Sequence, residues 1–161
     1  MTKFLLLLSI SFLLSCKTTT WYISRHAEKA DNSANPPLSS EGQKQALDLR
    51  DYLTGKNIKK IYATNFIRTQ STAQPTSQLF GVAIQTYTPP APSTVFIDSL
   101  RAINSGNALV VGHSNTVDDI VNGLMGTNTM TDIPETEYGS LFIVKRKGSN
   151  YSFQKITVPR Q

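Results

Sequence analysis

The chain holds two histidines, and each follows an apolar run inside a short motif suited to holding a phosphoryl group. Ser24-Arg25-His26-Ala27-Glu28-Lys29 comes directly after Trp21-Tyr22-Ile23, and Val110-Val111-Gly112-His113-Ser114-Asn115 comes directly after Ala108-Leu109. Between them, Tyr62-Ala63-Thr64-Asn65-Phe66-Ile67-Arg68-Thr69 supplies a further arginine. Imidazole is a competent covalent nucleophile, and a phosphohistidine divides one hard displacement into two easier ones. Arginine is always charged, and its planar fork can meet two phosphate oxygens at once. Arg25 and Arg68 can therefore clamp a phosphoryl group, and their charge favours a neutral His26. The residues after His113 open a helix, whose first amides and dipole favour the same anion.

Each motif alone has an ordinary reading. Arg25-His26 suits a surface strand end, Gly112-His113 a satisfied core histidine, and Arg68 a solvated helix residue. All three at compatible strand ends, in a chain with no other histidine, point to one phosphate site. A metal site is the competing chemistry. His26, Glu28 and Asp31 lack the helical His-x-x-x-His spacing of zinc enzymes, so the sequence implies no metal and no cofactor.

The elements that must position these residues alternate between strand and helix, which argues an α/β sandwich with a mostly parallel sheet. Strands are expected at 21–24, 60–63, 83–87, 108–111, 141–146 and 151–156. The last two form a hairpin turning through Gly148-Ser149-Asn150, which makes the sheet mixed. The first helix follows Leu38-Ser39-Ser40-Glu41-Gly42-Gln43, with Ser40 and Gln43 as a capping box. Ala46, Leu49 and Leu53 then recur at helical spacing. A second helix runs from Phe66 towards Phe80 and stops at Gly81, and Pro75 should kink or split it. Phe96, Leu100 and Ile103 mark a third helix. Val117, Ile120, Val121, Leu124 and Met125 mark a fourth, closed by Gly126, with Asp118, Asp119 and Asn122 on its polar face. Pro89-Pro90-Ala91-Pro92 reads as a stiff loop. In such a sheet ligands gather beyond the carboxyl ends of the strands, where all three motifs can meet.

These motifs, in this order over nearly all of residues 20–146, resemble the histidine phosphatase superfamily, the phosphoglycerate-mutase-like enzymes. The resemblance implies a three-layer α/β/α fold and a metal-free phosphatase. Arg25-His26-Ala27 matches the family's Arg-His-Gly opening, so His26 would be the phosphorylated nucleophile. Arg25, Arg68 and His113 would complete the phosphoryl pocket, with His113 bonding the transition-state oxygens. Asn32 stands where many members carry a substrate-binding asparagine, and Glu28 lies beside the nucleophile. The family's glutamate acid beyond the third strand has no counterpart, since that loop is Thr88-Pro89-Pro90-Ala91-Pro92-Ser93. Glu28 and Glu135 are the carboxylates left to protonate a leaving oxygen. Some members dispense with the acid by using good leaving groups. The long insertions that enclose the pocket of true mutases are missing, which favours hydrolysis over transfer. A lipid-anchored phosphate-binding module and a mutase-type phosphotransferase remain the alternative readings.

Length and charge set the remaining bounds. Lys3, the apolar run 4–14 and Leu13-Leu14-Ser15-Cys16 read as a lipoprotein leader, 1–15, with Cys16 as the lipid anchor. Residues 16–20 form a tether, and 21–158 form one domain. One cysteine allows no intrachain disulfide. Without the leader the chain has 15 basic and 11 acidic side chains, Lys3 being the one charge lost. That bias suits a small phosphorylated substrate, and for an exported enzyme the expected role is scavenging of phosphomonoesters outside the cell. The basic residues are scattered except for Lys145-Arg146-Lys147, read as a solvated turn, so no nucleic-acid partner is expected. The expected location is an exported lipoprotein at the outer membrane or cell surface.

Overall fold

A computed structural model describes residues 17–88 and 94–160. The leader, Cys16 and the proline-rich loop 89–93 lie outside the described residues. The elements run β1 (Thr18–Arg25), α1 (Ser40–Leu53), β2 (Ile58–Thr64), α2 (Ile67–Phe80), β3 (Ile84–Tyr87), α3 (Thr94–Arg101), β4 (Asn107–Gly112), α4 (Val117–Met125), β5 (Ser140–Lys147) and β6 (Asn150–Thr157). The six strands are ordered β3-β2-β4-β1-β5-β6. β3, β2, β4 and β1 are parallel, whereas β5 and β6 pair antiparallel to their neighbours. β1 starts at Thr18, opposite Lys147, so the first strand begins inside the expected tether.

The three-layer reading holds because β1 and β4 are covered on both faces. Trp21, Ile23 and Val110 pack with Ile97, Leu100, Ile120 and Leu124 of α3 and α4. Tyr22, Leu109 and Val111 pack on the other side with Leu49 and Leu53 of α1 and Ala73 of α2. Strands buried on both faces read as the continuous apolar runs seen in the sequence. Trp21 is wholly buried and donates its indole N–H to the Leu100 carbonyl at 3.1 Å, which satisfies its polar atom.

Four local expectations are corrected. The cap of α1 is Ser39, whose Oγ accepts from the Gly42 amide. The Ser39 amide itself bonds to the Glu28 carbonyl at 2.9 Å, so no Gln43 side chain is needed to satisfy it. α2 is one continuous helix through Pro75, ended by Gly81 at φ 62°. Pro75 removes one donor without splitting the helix, which buries Thr69, Thr72, Ala73 and Thr76. Asp118 is buried, not on a solvated face. Arg146 is no turn residue. It crosses the sheet edge to bond the carbonyls of Arg101 and Ile103, quenching the carboxyl end of α3.

Candidate active site

The carboxyl ends of β1, β2 and β4 open onto a cavity of about 450 Å³ lined by His26, Arg68 and His113 with Lys29, Phe66, Ser114 and Glu135. The crossing of the chain from β3 back to β4, beside β1, creates the crevice. Gly112 lets the second motif close on it, because a side chain there would meet the Tyr87 hydroxyl at 2.8 Å. The His26 amide bonds to the Gly112 carbonyl at 2.9 Å, and the Ala27 amide to Thr72 Oγ1 at 2.9 Å. Thr72 in turn donates to the Arg68 carbonyl at 2.7 Å, which ties α2 to the first motif.

His26 is buried, and its Nδ1 donates to the Ala27 carbonyl at 2.8 Å. A carbonyl only accepts, so Nδ1 must carry the proton and Nε2 is left with its lone pair. Burial above all, then the charges of Arg25 and Arg68 and the neighbouring His113, lowers the His26 pKa to about 3. The ring is neutral at ordinary pH and able to attack.

His113 packs edge-on to His26, with ring centroids 5.5 Å apart, and edge-on to Phe66 at 5.1 Å. Arg68 Nη2 approaches its Nδ1 at 3.4 Å. Its Nε2 therefore donates to Thr64 Oγ1 at 2.9 Å, which bonds Thr69 Oγ1 at 2.9 Å. Thr69 in turn bonds the carbonyls of Thr64 and Phe66. Burial, then Arg68 and Arg25, holds the His113 pKa down to about 4. A neutral His113 spends its one proton on Thr64, which leaves Arg68 and Lys29 as the cations lining the cavity. Arg68 stacks on Phe66 at 4.5 Å, and its Nη1 is buried with no acceptor among the described residues.

Three expected site residues are not among those lining this cavity. Arg25 is buried beside the cavity, but its Nη1 bonds the carbonyls of Pro134, Glu135 and Glu137, and its Nη2 bonds Glu135 Oε2 at 2.6 Å. It is stacked on Tyr138 at 4.3 Å and does not line the main cavity. Glu28 accepts from Ser39 Oγ at 2.8 Å, and its amide bonds Gln45, which ties it to the start of α1. Asn32 is exposed and outside the lining, where Ser33 and Ala34 stand instead. Thr64, Phe66 and Lys29 were missed. Thr64 and Phe66 flank the strand end inside the Arg68 motif, and that position was the available signal. Among the described residues no cluster of three or more histidine, cysteine or acidic side chains could hold a metal.

Residues 21–88 match the family model described as the histidine phosphatase superfamily, branch 1. Similar solved structures include the protein histidine phosphatase SixA complexed with tungstate, at 19% identity and TM-score 0.69, covering 86% of this chain and 96% of that one. A mycobacterial glucosyl-3-phosphoglycerate phosphatase matches at 11% identity and TM-score 0.67, covering 89% and 100%. The phosphoglycerate mutase of Bacillus anthracis matches at 12% identity and TM-score 0.62, covering 89% and 94%. These likenesses establish a phosphoglycerate-mutase-like fold. No curated protein sequence matches the chain.

Proposed function

We propose, from a histidine phosphatase superfamily signature carried on a phosphoglycerate-mutase-like fold, that this chain is a phosphatase acting through a phosphohistidine on His26. The observation that carries the reading is the bare Nε2 of a buried, neutral His26 in one cavity with Arg68 and His113. Nε2 attacks phosphorus, the bond to the leaving oxygen or nitrogen breaks, and its electron pair departs with the leaving group. Water then attacks the phosphohistidine, releasing inorganic phosphate and restoring the imidazole lone pair. Arg68 stabilises the charge on the equatorial oxygens.

No protonated carboxylic acid stands ready for the leaving group. Glu28 is engaged at α1, and the Glu135 carboxyl is held below the usual range by Ser114, then by Arg25 and Lys29. The chemistry therefore favours leaving groups that need little protonation, such as aryl phosphates or phosphoramidates. Phosphorylated histidine is one such substrate, which accords with the activity in the name of the SixA neighbour. The engagement of Arg25 by Glu135 favours one other reading, a phosphate-binding module that does not turn over. We further propose that the protein is lipid-anchored at Cys16, on the strength of the leader pattern.

His26→Asn should lose at least about 10³-fold in turnover of an aryl phosphate while its circular dichroism is unchanged. The parent should remain active in excess chelator, be inhibited by vanadate, and yield an acid-labile phosphohistidine on quenching. Tight phosphate binding with no turnover of any phosphoester would favour the module. Activity lost to chelator and restored by zinc would overturn the mechanism.

A further inference from the structure

We propose that Glu135 is the pocket's own competing anion: its carboxylate occupies Arg25 and Ser114 at the cavity wall, and a phosphoryl group binds by displacing it. This rests on the phosphoryl-pocket reading above and adds a selectivity to it. Glu135 lines the same cavity as His26, Lys29, Arg68 and His113. One carboxylate oxygen meets Arg25 Nη2 at 2.6 Å, and the other takes the Ser114 hydroxyl. Its charge acts on Arg68 and His113, and those of Arg25 and Lys29 act on it.

The pair is lopsided in a way that a structural ion pair need not be. The Arg25 side chain is 3% exposed and the Glu135 side chain 70% exposed. Arg25 does not depend on the carboxylate for its position. Three backbone carbonyls and the Tyr138 ring hold the guanidinium, and all four partners are neutral. When Glu135 swings into solvent, Arg25 keeps its neutral partners, and the carboxylate still acting on its charge is Glu137, itself bound to Lys155 and Ser140. That charge then serves the incoming anion, together with the freed Ser114 hydroxyl.

The exchange selects by charge. A dianionic terminal phosphoryl replaces one negative charge with two, so it gains attraction from Arg25 and Arg68. A phosphodiester carries one negative charge and gains nothing over the carboxylate it must evict. Glu135 thereby favours monoesters and phosphoramidates over diesters and weak monoanions.

The test is calorimetry at pH 8 on the full chain, with inorganic phosphate and with dimethyl phosphate as ligands. Glu135→Gln keeps the size and hydrogen-bonding capacity of the side chain and removes the charge, and thermal melting confirms its fold. It should bind phosphate about tenfold more tightly than the parent, the effect of removing one near charge from a half-screened site. It should also gain measurable affinity for dimethyl phosphate, and its KM for phenyl phosphate should fall. Glu41→Gln, which removes a charge at α1 paired with Arg160, should match the parent and so exclude a general charge effect. Unchanged or weaker phosphate binding by Glu135→Gln would overturn the proposal, leaving Glu135 as a support for Arg25. If neither protein binds phosphate or vanadate, the phosphoryl-pocket reading fails and the proposal with it.

Discussion

At the scale of single residues, the site is a pair of imidazoles kept neutral in a cationic surrounding. Burial dominates both shifts and two arginines add to them, so His26 and His113 take protons only as pH falls through about 3 and about 4. Their ordinary value is 6.5. For a phosphatase on His26, kcat/KM on an aryl phosphate, corrected for the substrate's own ionisation, should stay level from pH 8 to about 5 and fall below that. A limb centred near 6.5 would show that the nucleophile is wet. Folding stability has the same sign: the unfolded chain binds these two protons below 6.5 and the folded one does not, so stability drops between about pH 6.5 and 4. The meeting of His26, Arg68 and His113 at one cavity was legible because each closes or follows an apolar strand. The engagement of Arg25 was not, because its partners come from a loop about 110 residues away. The bond of the Glu28 carboxylate to Ser39 was not legible for a similar reason, since the helix start that takes it lies beyond a loop of unspecified path.

At the scale of elements, helix starts and the backbone of the first motif lock together. Gly42 lies in the first turn of α1, and a Cβ there would overlap the Glu28 carbonyl oxygen that accepts the Ser39 amide. Helix propensity alone would favour alanine at this position by about 1 kcal/mol. The overlap is with backbone and cannot be relieved by a rotamer, so an overpacking cost of about 1–3 kcal/mol should win. Gly42→Ala is expected to lower the melting temperature, and to lower turnover as well, because the displaced segment carries His26. A raised melting temperature would show that α1 can shift freely and that this contact does not position the site. Strand and helix order was readable from apolar spacing, down to the stops at Gly81 and Gly126, both in the left-handed region. The cap and the continuity of α2 were not, because each depends on which neighbour satisfies an amide or covers a buried face.

At the scale of the molecule, the sheet has two poles. The carboxyl ends of β1, β2 and β4 hold the cavity, whereas the opposite end holds the start of β1, where Thr18 pairs with Lys147. β1 has eight residues and spans roughly 25 Å at about 3.3 Å per residue. An anchor at Cys16, two residues before β1, would therefore set the bilayer against the pole away from the cavity. Among the described residues no helix is long and apolar enough to cross a membrane. Two consequences are measurable. Native protein should label with palmitate, and Cys16→Ser should not, accumulating instead at the mass of the uncleaved precursor. With the anchor at that pole the mouth would face away from the bilayer, and KM for a soluble aryl phosphate should agree within about twofold between vesicle-bound and detergent-released protein, their local ionic surroundings being alike beyond one Debye length. Normal processing of Cys16→Ser would remove the anchor and leave the cavity chemistry untouched, since none of its residues lies at that pole. A vesicle-bound KM many times larger, with palmitate labelling intact, would instead place the mouth against the bilayer and overturn the orientation drawn from β1.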